Sequence, residues 1–292
     1  MADTTNTNVT NANDLAGLLV NARQDAIFAG YENSLYLPGQ LVNIYNVPAG
    51  SVTAQIPKYS AVAASSVSTE VHSDTSNAIS ELDILNVAAA GVNVSAKTYA
   101  ARALQKDLGG MDLQGTATVL GRACTEKFDT DIMELFKDSG ISEVGTSGSD
   151  LTIDLIADAV QTVRTAKFGG EVNVVLHPTQ IKEILKEFTS AAFAGSDAAN
   201  EAMARGFVGK LFGANVYQSA LVQTDNSGAD YAGCAFVDGA FGIAMFRGLD
   251  VSTSRNEAGM GTDIIASIHA NAGVLDTNRA ITGCRSRLNK SS

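Results

Sequence analysis

Apolar and polar positions alternate with the two-residue period of a β-strand at both ends of the stretch from Asn46 to Ala96. Val52, Ala54 and Ile56 are interleaved with Thr53 and Gln55, and Val92 and Val94 with Asn93 and Ser95. Val67 and Val71 sit among polar neighbours, Tyr59 is the lone aromatic, and the charges are confined to Lys58, Glu70, Asp74, Glu81 and Asp83. Such a stretch has too little bulk for a core and too little charge for a solvated tail, and an isolated long hairpin is marginal in water. The pattern predicts a β-arm that needs another surface to lie on, and assigns that surface to a second subunit.

Elsewhere the period lengthens to three or four. Leu15, Leu18, Leu19, Ala22, Ala26 and Ile27 predict a short helix over Leu15 to Phe28 capped by Asp14. The polar stretch before it, Met1 to Asp14, reads as a mobile arm. Pro38, Pro48 and Pro57 keep the approach to the β-arm out of helix. Leu113, Ala117, Leu120, Cys124, Phe128, Ile132, Leu135 and Phe136 form the strongest helical stripe, which Gly140 stops. Gly115 and Gly121 within it point to close backbone packing or a bend. After a loop, Asp150 is placed to cap a helix carrying Ile153, Ile156, Val160 and Val163. Val172 to Leu176 reads as a buried strand, and Pro178 opens a helix through Phe188. The Ala-, Gly- and Ser-rich stretch from Ser190 to Gly206 holds a short helix. Strands are predicted at Ala214 to Tyr217, Tyr231 to Val237, Phe241 to Phe246 and Asp263 to Ala270, with a mixed tail after them. Helices combined with non-local strands make the fold class α+β.

Composition narrows the function. At 292 residues and 45% hydrophobic content the chain can bury a substantial core. No run approaches the roughly eighteen apolar residues of a membrane span, and the N-terminus lacks a basic start and an apolar signal core. Charged residues make up only 17%, below the usual share, as expected where neighbours cover the surface. A net charge of -11 argues against a dedicated nucleic-acid binder, whose affinity comes from Lys and Arg on phosphates. Cys124, Cys234 and Cys284 are far apart with no C-x-x-C, so they read as reduced, buried small residues rather than disulfides or zinc ligands. The sequons at Asn8, Asn93 and Asn289 would matter only in a secreted chain.

Candidate chemistry is sparse. Gly206 to Leu211, GFVGKL, lacks both the spacing of a phosphate loop and its hydroxyl after the Lys. Gly259 and Gly261 form a lone G-x-G that reads as a turn. His177 stands between a strand and a helix, where α/β enzymes place catalytic groups, but has no evident helper and reads as structural. His72 and His269 fall in predicted strands, and no Ser sits in a G-x-S-x-G elbow. Lys182, Glu183, Lys186 and Glu187 read as a solvated helix face, and Asp129 and Asp131 point apart on theirs. No catalytic residue, cofactor site or metal site is assigned.

The order of parts resembles the major capsid protein of tailed bacteriophages, with its Hong Kong 97-type coat fold. The resemblance is carried by VPAGSVTAQIPKYSAVAASSV as the outgoing extended loop and LGRACTEKFDTDIMELF as the spine helix. VNVVLHPTQIKEIL with GFVGKLFGANVYQS would lie in the central domain, and CAFVDGAFGIAMFRGLDV in the strands after it. It implies an N-terminal arm over 1–47, an extended loop over 48–96 and a peripheral domain with the spine helix over 97–148. An axial domain over 149–246 and peripheral return strands with a tail over 247–292 would complete the chain. It further implies self-assembly as pentamers and hexamers into an icosahedral virion shell around double-stranded DNA held without sequence specificity. Assembly would take place in the host cytoplasm with a separate scaffolding protein and a portal, without a membrane. Some members of this family join subunits through Lys and Asn. Lys58 with Asn271 or Asn278 is the pair to consider here, but no motif supports the link and non-covalent locking is expected. The rivals are an encapsulin-like shell, against which the polar N-terminal arm argues, and an α/β hydrolase-like enzyme using His177.

Overall fold

The computed structural model describes residues 12–39, 41–48, 50–58, 90–106, 113–145, 148–167, 169–188, 209–225 and 230–287. The arm positions 59–89, including Val67, Val71 and His72, lie outside them, as do the N-terminal residues before Ala12 and the expected short helix after Ser190.

Helix α1 spans Ala12–Asn33 and α2 spans Leu113–Glu134, the latter running into a 3-10 turn at Leu135–Lys137. The first is longer than its apolar stripe predicts at both ends, so Asp14 lies inside it instead of capping it. The two run in parallel, Ala26 facing Gly121 and Gly30 facing Thr125. Gly121 is what lets them approach: a Cβ there would stand 2.7 Å from the carbonyl oxygen of Ala26. Both helices lie on a four-stranded sheet ordered β1 (Asn43–Asn46), β11 (Phe241–Asn256), β12 (Gly261–Val274) and β4 (Thr98–Lys106). Strands β11 and β12 are each longer than their apolar runs, because the ends of this hairpin carry polar residues such as Ser252, Ser254 and Thr262 that pair but do not bury.

A second, seven-stranded sheet is built from β5 (Ser142–Glu143), β13 (Ala280–Arg287), β10 (Asp230–Val237), β6 (Val172–Leu176), β8 (Ala214–Gln218) and β7 (Lys210–Leu211), with β9 (Thr224–Asp225) paired to β10. Strand β13 occupies what reads in sequence as a mixed tail; its partner β10 is distant in the chain, and Arg285 and Arg287 disguise it. Helices α3 (Ile153–Thr165) and α4 (Pro178–Phe188) accompany this sheet. The cap of α3 is Thr152, whose hydroxyl accepts from Leu155 N, and not Asp150.

The chain crosses from one sheet to the other between β10 and β11, and the joint is aromatic. Phe136, Phe236 and Phe241 meet with ring centroids 5.3 to 6.0 Å apart, joining the end of the spine helix to both sheets. Residues of α1 and the turn after it, Ala22, Ala26, Tyr36, Leu37, Leu41 and Val42, belong to this same buried core.

The root of the β-arm is a hairpin of β2 (Thr53–Lys58) and β3 (Ala90–Ser95) in continuous antiparallel register. Pro57 pairs with Gly91 inside the ladder. The bond from Ala96 N to Val52 O sets the alternation, so the nitrogen of Pro57 falls on the outer side where no partner is needed. The root also departs from the expectation that the arm finds its surface only on a neighbour. Ile56 is 1% exposed, packed with Ala54, Val94, Ala244 and Leu275 of its own chain, and Val94 sits where Gly273 leaves room for it. The apolar side that the sequence shows without a partner is covered by the turn after β12, more than two hundred residues away in the chain.

Candidate assembly interface

The residues singled out for chemistry do not converge. His177 precedes Pro178 at the start of α4, and its ring stacks on Tyr231 with centroids 3.7 Å apart and planes 7° from parallel. Thr179 N donates to Nδ1 at 3.2 Å, while Gln180 Oε1 accepts from His177 N at 2.8 Å. This is a capping box with imidazole in place of the usual hydroxyl and Pro at the first helical position. Burial lowers its pKa, and an Nδ1 that accepts keeps the ring neutral with its proton on Nε2. His177 has the geometry of a helix cap.

Glu183 and Glu187 are not merely solvated: Glu183 Oε2 accepts from Leu151 N at 2.9 Å and Glu187 Oε2 from Ile153 N at 2.7 Å, tying α4 to the start of α3. Gly209 to Leu211 of the rejected phosphate loop enter the β7–β8 hairpin, and Gly259 and Gly261 flank the β11–β12 turn. Cys124 and Cys234 are buried, with burial pushing the Cys124 thiol up; Cys284 lies in β13. His269 bonds Thr98 Oγ1 through Nδ1, and Asn93 is exposed on β3. Among the described residues no group of His, Cys, Asp or Glu is arranged to hold a metal.

Asp129 and Asp131, two residues apart, have opposite environments. Asp129 is buried, accepts from Ser34 Oγ at 2.7 Å and Leu35 N at 2.8 Å, and locks the end of α1 to the spine helix. Desolvation pushes its carboxyl up to about 6 against those hydrogen bonds. Asp131 faces a cavity of about 390 Å³ between the end of α2 and the β3–β4 junction, lined also by Lys97, Leu135, Lys137 and Asn271. Desolvation opposes its ionisation, but hydrogen bonds from Lys127, Lys97 and Tyr99 outweigh it and hold the carboxyl below its ordinary value.

Lys58 Nζ stands 3.3 Å from Asp276 Oδ1 of its own chain, and Asn278 N donates to the same oxygen at 3.2 Å. Asn271 Nδ2 donates to Ser95 O at 2.8 Å, fixing the passage from β3 to β4. Lys58 and Asn278 are thus near one carboxylate at the arm's root, with Asn271 engaged on the other strand. Sequence reading missed Asp276, because its role comes only from the fold that brings the turn after β12 beneath β2.

Strand β4 ends its sheet with no further strand beside it among the described residues.

No family model matches the chain, and neither does any curated protein. Solved structures do. The capsid of Ralstonia phage GP4 is similar at 10% identity with a TM-score of 0.64, covering 89% of this chain and 93% of that one. The asymmetric unit of the bacteriophage PhiM1 mature capsid matches at 11% identity and a TM-score of 0.61, covering 89% and 88%. The chain has the Hong Kong 97-type coat fold. A holo-SrpI encapsulin complex from Synechococcus elongatus PCC 7942 also matches, at 12% identity and a TM-score of 0.54, covering 85% and 86%. At these identities the likeness lies in the architecture.

Proposed function

We propose that this chain is the structural subunit of a closed protein shell, a major capsid protein of the tailed-phage type, and not an enzyme. The observation that carries the reading is a coat fold whose β-hairpin root, β2 with β3, is anchored on its own subunit. Copies associate as pentamers and hexamers, the arm and the N-terminal residues reach over neighbours, and double-stranded DNA is enclosed without being gripped, in keeping with the net charge of -11. The four-stranded sheet with α2 acts as the peripheral domain, and the second sheet with α3, α4 and the returning β13 as the axial one. Scaffolding and portal proteins join during assembly in the host cytoplasm. Locking between subunits is non-covalent, as no motif for a Lys–Asn link is present.

Sedimentation and negative-stain microscopy of the purified chain test this directly. Large closed particles of uniform size are expected; a monomer at every concentration refutes it. Denaturing gels of those particles should show monomer bands alone. A ladder abolished by Lys58→Ala would refute non-covalent locking. The encapsulin reading has the same fold in its favour, and is separated by cargo: nuclease-resistant DNA in particles recovered with the infecting virus marks a coat, a packaged protein marks an encapsulin.

A further inference from the structure

The two-residue turn between β7 and β8 carries an aromatic where its backbone asks for a small or short polar residue. Leu211 pairs with Ala214, and the two residues between them, Phe212 and Gly213, both have positive φ, 51° and 75°. A hairpin loop of this kind is the type I′ turn, which favours Asn, Asp or Gly at its first position because a larger side chain crowds the following carbonyl. Phe212 occupies that position and its side of the turn is open, the residue being 49% exposed. Nothing within the subunit offsets the strain: Phe212 belongs to neither buried core behind the two sheets, and its ring meets no other ring among the described residues.

The turn is also held in place. Arg164, in the last turn of α3, donates from Nη2 to Gly213 O at 3.3 Å, and Asn215 Nδ2, in the second residue of β8, donates to Glu171 Oε2 at 2.8 Å. An aromatic side chain with two torsions on a fixed backbone loses little freedom when it is buried, which is why rigid aromatics serve as anchors of interfaces. The charge around it selects the occupant. Arg164, Lys167 and Lys210 are exposed at this corner and none of them is ion-paired among the described residues, while the acid beside them, Glu171, is bonded to Asn215. In a chain of net charge -11, such a cationic corner finds the opposite sign on another copy of the same chain. The same net charge opposes a phosphate backbone as the occupant.

We propose that the Phe212–Gly213 turn is an anchor that buries its aromatic ring against an acidic surface of a second copy of this chain. The proposal rests on the shell-forming reading and adds to it a contact point on the second sheet: Phe212 supplies the buried area, and Arg164, Lys167 and Lys210 supply the preference for an acidic partner. The free subunit carries the strain of the left-handed backbone, and burial of the ring on assembly offsets it.

Phe212→Asn separates this role from a structural one, because Asn is a residue the turn prefers. In the unassembled chain the thermal midpoint of the variant should equal or exceed the parent's, while particle yield at matched concentration falls about tenfold or more, the loss expected from removing one interface anchor. Parental yield overturns the proposal, and so does a lowered midpoint, which would place the ring in the packing of its own subunit. Independently, a benzophenone amino acid at position 212 can be photolysed in particles assembled from an equal mixture of isotope-labelled and unlabelled chains. Peptide mass spectrometry should then find crosslinked peptides that join a labelled to an unlabelled copy. Links confined to one copy, to nucleic acid or to another protein overturn the proposal while leaving the shell-forming reading standing. A parent chain that makes no particles at all removes that reading and the proposal with it.

Discussion

Asp129 shows how much one buried carboxyl can bias this fold. In the unfolded chain it titrates near 3.8 and in the folded chain at about 6, since burial outweighs the help of Ser34 and Leu35. Between those values the folded chain holds a proton that the unfolded chain has released, so stability falls as pH rises from 4 to 6 and stays low above it. A separation of that size corresponds to about 3 kcal/mol. Asp129→Asn removes the charge and keeps an acceptor, so urea unfolding at pH 4.5 and pH 7 should give the variant a flatter pH dependence than the parent. An unchanged slope would assign the effect elsewhere. Ile56 is the counterpart in the arm's root. Because its side chain is enclosed by Leu275, Ala244 and Val94 of its own subunit, Ile56→Asp loses about 1.5 to 3 kcal/mol of burial and adds the desolvation of a carboxylate. Faster amide exchange throughout β2 and β3 is expected in the unassembled chain, before any shell forms; protection equal to the parent's would contradict the packing.

At the scale of elements, legibility followed locality. The spine helix, β6 and α4 carry their own periods and caps, and their observed bounds match the apolar stripes closely. What sequence could not show was pairing at a distance. The tail after Leu275 becomes β13 only because β10 lies beside it, and β11 extends past Phe246 only because β12 returns along it. Arm residues read as lacking a partner find one in a turn that no local pattern connects to them. The sequence places His177 between a strand and a helix, but its capping geometry needed Gln180 and Thr179 in place. Gly121 was legible as a close contact without the identity of the neighbour, which is Ala26 of α1. Gly121→Ala should force α1 and α2 apart, since the Cβ meets backbone that cannot rotate aside; a loss of about 1 to 3 kcal/mol by urea unfolding is expected. No loss would mean that the helices yield freely at this crossing.

For the whole molecule, the decisive division lies between what folds on one copy and what waits for another. The hairpin root belongs to the first class, because Lys58↔Ala90 closes a ladder whose inner face is buried against the chain's own sheet. By the alternation set at Val52 and Ala96, Lys58 and Ala90 form a hydrogen-bonded pair, the frame that a two-residue Asn-Gly turn closes in a hairpin. Replacing 59–89 with Asn-Gly should therefore leave a folded subunit whose unfolding midpoint stays within a few degrees of the parent's, as the cores behind both sheets are untouched. Shell formation is where the replacement should act, since the shortened hairpin has nothing left to lay on a neighbour. Sedimentation at matched concentration should find small species in place of large particles. If particles form at parental yield, the arm is dispensable and assembly must run through the sheet edges and helices alone; if the subunit unfolds, the root does not stand on its own chain as its buried Ile56 and Val94 require.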